Sequence, residues 1–412
     1  MAFHARFARH FVRQEARARS VRYLRGLLGP VERKNGWQLA EAVGEANPQG
    51  IQRLVRTARW DAEAVRDELM GFVSEAFGDS DGILALDETG FVKKGRHSVG
   101  VQRQYSGTAG KVDNCQIGVF LSYISPQGHT LVDRRLYLPE GWAEDAERRQ
   151  VAGVPETVAF ATKPALGWQM LRHARDLGLP AAWVVGDTVY GHDPDLRRRI
   201  EQDLPELQYV LAVPATEPVW QPVEPAARQS AGVAKPRRMV VERRWTGGTG
   251  AAVAAGLPPT AWHRIVVASG TKGPRVYDWA AVRIVVGEAG WSSGVEHWLL
   301  MRRSVAEPVE LAYYLSNAPA STPLGTLARV AAARWPIEQC FEEAKGDTGL
   351  DQYEVRTYAG WYRHVTLALL AHAFLADLRR QAAPAPPPLH PAAFPPGGAA
   401  RPRRRPRATE CA

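Results

Sequence analysis

Two short apolar runs that each end in an aspartate constrain this chain most. Ile83-Leu84-Ala85-Leu86 leads into Asp87, and Ala181 to Gly186 leads into Asp187. Runs of this length, with no polar residue inside, are expected for strands buried on both faces, which occur where helices cover a sheet on either side. Carboxylates at the ends of such strands can converge on one site. Further strands are expected at Cys115 to Tyr123 and Thr130 to Leu138, joined by a turn at Pro126-Gln127-Gly128, and at Tyr209 to Val213. Helices are expected at 144–150, at 167–177 and after the Asp193-Pro194 cap. The order β-β-β-α-β-α-β predicts a mixed-sheet α/β core.

The flanks differ in texture. Residues 1–35 carry nine Arg or Lys against Glu15 and Glu32, and Phe3, Phe7 and Phe11 alternate with Arg6, Arg9, Arg13 and Arg17. That spacing predicts an amphipathic basic helix, either docked on the protein or facing a partner. Gly36 to Arg59 reads as two short helices broken at Asn47-Pro48, the outline of a helix-turn-helix or of any small bundle. In the first case Gln52, Arg53, Arg56 and Arg59 would face DNA. A third helix is expected from Asp61 to Phe77.

Between 216 and 318, short strand-like runs (Met239–Glu242, Arg264–Ala268, Ala280–Val286, His297–Met301, Leu311–Leu315) predict an all-β insertion. Helical texture resumes at Pro323 and runs to Arg380. The remainder is rich in Pro, Ala, Gly and Arg and reads as a disordered tail. The expected division is therefore 1–78 helical, 79–215 first part of the core, 216–318 β-rich, 319–380 second part of the core, and 381–412 tail.

Among 412 residues the formal net charge is +9, which favours a polyanionic partner. Cys115, Cys340 and Cys411 lack the spacing of a zinc cluster or a disulfide framework, so a reducing cytoplasmic setting is expected. The longest apolar run, Val365 to Ala376, is too short to span a bilayer, and the N-terminus has no apolar signal core.

A third acidic position completes the chemistry. Glu338 opens a helix in Arg334-Trp-Pro-Ile-Glu338-Gln-Cys-Phe-Glu-Glu-Ala-Lys345, with Pro336 in the first turn. Glu338, Glu342 and Lys345 share one stripe of that helix, and Arg334 precedes them. Three carboxylates on a rigid scaffold suit hard divalent cations such as Mg²⁺, two of which can serve phosphoryl transfer. Each acid also has a structural alternative, as a turn cap or as a partner of the helix dipole.

Taken together, these motifs resemble the insertion-sequence transposases of the DDE superfamily, in the branch with a β-rich insertion between the second Asp and the Glu. The resemblance rests on Leu86-Asp87-Glu88-Thr89-Gly90-Phe91 with Lys93-Lys94-Gly95, on Gly186-Asp187-Thr188-Val189-Tyr190-Gly191, and on Arg334-x3-Glu338-x6-Lys345. It runs from about Leu24 to Arg380. It implies an RNase H-like catalytic core and a DNA transposase that cleaves insertion-sequence ends and transfers strands into target DNA, acting as a homo-oligomer on double-stranded DNA. It also implies that Asp87, Asp187 and Glu338 bind two Mg²⁺ ions, for which Mn²⁺ can substitute, and that Arg334 and Lys345 contact phosphates. Lys93, Lys94, Arg53 and Arg56 are further candidates for DNA contact.

Two departures bear on activity. The signature's tyrosine position is Ala331, and the Pro/Arg-rich ending is unlike a packed subdomain, which leaves a catalytically inactive DNA-binding remnant as the alternative. A metal-dependent nuclease that does not transpose is a third reading. Among rival residues, strand alternation turns Glu88 away from Asp87, and Glu342 lies one turn beyond Glu338. Ser106 to Lys111 lacks the spacing of a phosphate loop and reads as a glycine-rich loop near the site. Six tryptophans (Trp220, Trp245, Trp262, Trp279, Trp291, Trp298) fall in the insertion, most expected as packing residues. Trp298 is the nominal choice for stacking an extruded base. Arg356 and Arg363, beside Tyr358 and Tyr362, are candidates for lining a DNA path, whereas His364 and His372 read as core or surface histidines.

Overall fold

The computed structural model describes residues 2–107, 110–223, 244–270, 273–288, 291–306 and 309–382. The expected tail and the expected strand at Met239–Glu242 lie outside the described residues.

The chain begins with helix α1 (Ala2–Phe7) and a 3-10 turn (Ala8–His10), followed by α2 (Gln14–Leu28). One continuous basic helix is therefore not formed. Phe11 leaves the helical path to bridge Trp60, and both Phe7 and Phe11 are fully buried. The facing arginines are used internally: Arg6 pairs with Glu68 and Glu75, and Arg9 with Glu68. The docked reading of this segment holds. Helices α3 (Gly36–Ala42), α4 (Gln49–Arg56) and α5 (Ala62–Phe77) follow, with Asn35 and Asp61 capping the first and last.

The core alternates as expected. Strands β1 (Ile83–Val92), β2 (Gln102–Ser106), β3 (Lys111–Ser125) and β4 (Gly128–Tyr137) precede α6 (Glu140–Ala143), α7 (Ala146–Ala152) and α8 (Lys163–Asp176). Strand β5 (Trp183–Gly186), α9 (Thr188–Gly191), α10 (Pro194–Asp203) and β6 (Gln208–Val213) complete it. Strand β2 has no counterpart in the expected set. Its Gln-Arg-Gln-Tyr-Ser sequence is polar because it is half-exposed at the margin of the sheet, so hydrophobic alternation gives no signal there. The stretch expected as a glycine-rich loop connects β2 to β3 as a hairpin.

Residues 218–316 supply β7 (Pro218–Val223), β8 (Arg244–Thr249), β9 (His263–Gly270), β10 (Gly273–Glu288), β11 (Trp291–Ser304) and β12 (Leu311–Ser316), with one short helix, α11 (Gly250–Gly256), between β8 and β9. These strands form no separate sheet. Strand β12 pairs antiparallel with β6, giving the order β2-β3-β1-β5-β6-β12-β11-β10-β7-β8, with β4 on β3 and β9 on β10. The architecture is mixed α/β around a single sheet, consistent with an RNase H-like core.

Three helices close the fold: α12 (Leu324–Ala332), α13 (Trp335–Thr348) and α14 (Tyr358–Ala382). The last is buried along most of its length and packs against β4, α13, α2, α4 and α5. The N-terminal helices are thus mounted on the same core as the sheet. Buried Lys34 strengthens this mounting, because its ammonium donates to the carbonyls of Leu27 (2.5 Å), Gly29 (3.0 Å) and Asp347 (2.7 Å). It thereby satisfies C-terminal carbonyls of both α2 and α13. Gly349 ends α13 at φ 64°, and a Cβ there would lie 2.7 Å from Lys34 Cβ. No helix among the described residues is long and apolar enough to cross a membrane.

Candidate active site

Strands β1 and β5 run parallel, with Leu86 opposite Gly186, so Asp87 and Asp187 stand one residue beyond the last paired position of neighbouring strands. Adjacent strands are separated by roughly 4.8 Å, which brings the two carboxylates to one strand-end crevice. Asp87 is 9% exposed. One of its oxygens accepts from the Glu88 amide at 2.8 Å and the other from Arg334 at 3.0 Å. Asp187 accepts from the Val189 amide at 2.9 Å, so it also caps α9. The cap and the site coexist in one residue.

Helix α13 brings the third carboxylate. Pro336 sits in its first turn, and the apolar stripe Ile337, Cys340, Phe341 and Ala344 is buried, Phe341 meeting Phe120 of β3. Arg334 grips the helix start to the sheet: one arm reaches Asp87 and the other Glu338 at 2.5 Å. Further along, Lys345 donates to Thr89 Oγ1 at 2.7 Å. The two cations of the Arg-x3-Glu-x6-Lys pattern therefore clamp α13 onto β1 on either side of Glu338. Glu342 is exposed, one turn further on.

Electrostatically this is a strained anionic site. Burial, then the charge of Asp187, pushes the Asp87 carboxyl up to about 7, against the opposing pull of Arg334. Burial and the nearby Glu88 raise Asp187 as well. Burial lowers Lys345. As the side chains stand, no group of three His, Cys, Asp or Glu among the described residues closes into a metal cage, and the Arg334 guanidinium lies between Asp87 and Glu338. Buried carboxylates that repel one another and gather around a cation are nonetheless the donor set that a hard divalent ion requires. These residues fit such an ion.

Other nominated residues are more dispersed. Lys93 lies 3.6 Å from the Tyr353 ring centre and donates to the Tyr353 carbonyl, and burial lowers its pKa to about 8. Lys94, Arg53 and Arg56 are exposed, the arginines on the outer face of α4 opposite buried Ile51, Leu54 and Val55. Trp298 lies on β11, where its indole donates to the Pro319 carbonyl at 3.1 Å and its ring carries Arg283 at 4.9 Å. Trp279 is fully buried, and the side chains of Trp245 and Trp291 lie outside the description. Ala331 is buried in α12.

Sequence reasoning missed the support behind the site. Glu88 does point away from Asp87, but its carboxylate is held by Lys163 at 2.6 Å and the Tyr190 hydroxyl at 2.9 Å, close enough to Asp187 to raise it. Nothing local signals Lys163, which starts α8 far along the chain. Trp335 was also missed. It stands 49% exposed beside Arg334, with Arg275 from the start of β10 lying 4.1 Å from its ring centre.

A parallel pair of buried strands carrying aspartates, Asp187 just past the end of β5 and Asp87 beside it midway along β1, faced by a carboxylate-bearing helix, defines a class of nucleases built on an RNase H-like sheet. Residues 6–274 match the family described as DDE superfamily endonuclease, and the chain belongs to that family, whose members generally use a divalent metal. Asp87 and Asp187 fall within the match and Glu338 beyond it. A relative named as a probable transposase for insertion sequence element IS701, from Microchaete diplosiphon, is 28% identical over 193 residues, 46% of each chain. The match thus spans about half the length of that relative.

Proposed function

We propose that this chain is a DNA transposase that cleaves insertion-sequence ends and joins the freed strand to target DNA. The carrying observation is the placement of Asp87 and Asp187 on adjacent parallel strands, just past the last pair between them, with Glu338 drawn to Asp87 through Arg334, in a member of the DDE endonucleases. The insertion-sequence relative supports the transposition half of the reading.

Asp87, Asp187 and Glu338 would hold Mg²⁺, two ions in this reading, with Mn²⁺ as a substitute. Bound there, the metal would supply activation of the attacking oxygen and stabilisation of the leaving one. The protein's own groups position everything else. Arg334 can pass from the carboxylates to a phosphate oxygen, since one guanidinium serves either anion by the same fork of donors. Lys345 and Thr89 keep the Glu338 helix in register with β1. The residues of 1–78, through Arg53 and Arg56 on α4, together with Lys94, would contact phosphates along double-stranded DNA. Action on paired ends would call for a homo-oligomer.

The test uses inverted repeats flanking the gene as a labelled end duplex with Mg²⁺ or Mn²⁺. Wild type is expected to nick at the repeat end and join it to plasmid. Asp187→Ala and Glu338→Ala should bind without cutting. Cutting without joining would leave a nuclease that does not transpose. Binding by wild type with no cleavage in either metal would sink the catalytic reading.

A further inference from the structure

A cavity of about 680 Å³ opens beside β4, between the start of α5, the start of α14, α8 and the segment 155–161. That is the size range of small-ligand sites, which combine aromatic walls with a few convergent polar groups. Its walls include Trp60, Phe160, Tyr358 and Tyr362, and two guanidiniums, Arg135 and Arg363, face it.

The charge balance within the cavity is informative. The acids on its wall are already committed: Asp61 caps α5 through the amides of Glu63 and Ala64, and Glu63 pairs with Arg66, Arg134 and Arg135. The cations are less fully used. Arg135 Nε is buried with no hydrogen-bond acceptor. Among the described residues Arg363 is half-buried with no carboxylate partner, reaching the Trp60 carbonyl at 3.5 Å and lying 5.6 Å from the Trp60 ring centre. Burial lowers its pKa and no acid offsets that. Phe160 is 41% exposed, an apolar ring left at the rim. Under-used arginines among aromatic faces match one ligand chemistry, a flat heteroaromatic ring carrying a phosphate.

Its location favours a nucleotide of DNA. Leu136 in the cavity wall pairs with Gly118 of β3, which pairs with Thr89 of β1, two residues past Asp87. Two strand spacings put the backbones of Leu136 and Thr89 roughly 10 Å apart, and Arg135 is in register with Val119 and Glu88. The segment 155–161 leads directly to Lys163, which holds Glu88. We infer that this cavity binds one unpaired nucleotide, its base against Phe160 and Tyr358 and its phosphate on Arg363 and Arg135. The source named here, a strand end near the carboxylates, rests on the DNA-cleaving reading; the nucleotide chemistry itself does not.

The test uses the full chain in EDTA, so that cleavage plays no part. Fluorescence anisotropy compares a blunt duplex with the same duplex bearing a short single-stranded overhang, and thymidine monophosphate is titrated separately against tryptophan fluorescence. Wild type should bind the overhang roughly tenfold more tightly than the blunt probe, the value expected of one stacked base. Arg363→Gln and Phe160→Ala should each abolish that difference. Displacement of the overhang by millimolar thymidine monophosphate would show that the free nucleotide also fits, whereas failure to displace it would restrict the cavity to a strand end. The inference is overturned if wild type neither prefers the overhang nor binds the monophosphate, or if both variants keep the wild-type preference. If neither duplex binds but the monophosphate does, the DNA reading fails and the nucleotide site stands.

Discussion

Replacing Asp87 by Asn should make the metal-free protein more stable at alkaline pH while removing its chemistry. The buried Asp87 carboxyl is raised to about 7 in the fold from an ordinary value of 3.8. The folded state therefore binds the proton more tightly than the unfolded chain does. Below pH 3.8 both states are protonated and the site costs nothing. Between 3.8 and 7 the cost grows, and above 7 it is fully present. With 1.36 kcal/mol per pH unit, a gap of about 3 units corresponds to roughly 4 kcal/mol at pH 8 and 1–2 kcal/mol at pH 5. Asn has nearly the shape of the protonated acid, and its single carbonyl oxygen can keep the bond from the Glu88 amide; its NH2 group only donates, so the bond from Arg334 is lost while Arg334 keeps Glu338. Relaxation around a charged group reduces such costs, so about 2–4 kcal/mol is expected at pH 8. For a chain of this length, whose unfolding entropy is roughly 0.9 kcal/mol/K, that is a melting shift of about 2–5 °C. The assay is thermal melting of wild type and Asp87→Asn in EDTA from pH 5 to 8. Taking the difference removes the titrating groups that do not interact with Asp87. A variant equal to or less stable than wild type at pH 8, or a gap that does not widen with pH, would refute the reasoning.

Other consequences can be checked alongside. Added Mg²⁺ should raise the melting temperature of wild type at pH 8 by ligand linkage and leave Asp87→Asn unmoved, as read by the same melts. Lys34→Met should cost about 3 kcal/mol in urea unfolding, because three carbonyls at two helix ends lose a charged donor. Gly191→Ala should lower expression of folded protein sharply, since a Cβ there would lie 1.9 Å from the Ala212 carbonyl oxygen. Buried His364 is lowered to about 4, so the unfolded chain takes up its proton first as the medium is acidified. Stability should accordingly fall by about 3 kcal/mol between pH 6.5 and 4, and His364→Gln should flatten that slope in acid titrations.

What the sequence made legible follows from local physics. Asp87 and Asp187 stood out because each follows an apolar run, and α13 because Arg334, Glu338 and Lys345 share one helical stripe; the expected strand end holds at Asp187, whereas β1 continues past Asp87 to Val92 because β3 pairs with it on the side away from β5. The Glu88–Lys163–Tyr190 cluster was not legible, since Lys163 belongs to another helix and only the fold brings it to Glu88. Lys34 gave no signal for the same reason: its acceptors Leu27 and Asp347 lie on two elements far apart in the chain. Strand β2 escaped because an edge strand needs no apolar face. The insertion's strands were recognisable individually, but their attachment to β6 through β12 depends on a register that composition does not encode. Trp298 is marked only by being aromatic in that segment, and Trp335 carries no local mark because its partner Arg275 belongs to a strand distant in sequence.

The continuity of the sheet has a geometric consequence. Neighbouring strands rotate by about 20–25°, and the path from β1 through β5, β6, β12 and β11 to β10 makes five such steps. Accumulated, these turn β10 by on the order of 100° relative to β1, so the far strands run almost crosswise to the near ones. A flat ribbon of the same strands would carry β10 steadily away from the carboxylates. Turned crosswise, the 16-residue β10 instead extends along the sheet, and Arg275 near its beginning lies over Trp335 at the threshold of α13. Helix α13 is thus met by two strands five places apart in one sheet, β1 through Arg334 and Lys345 and β10 through Arg275.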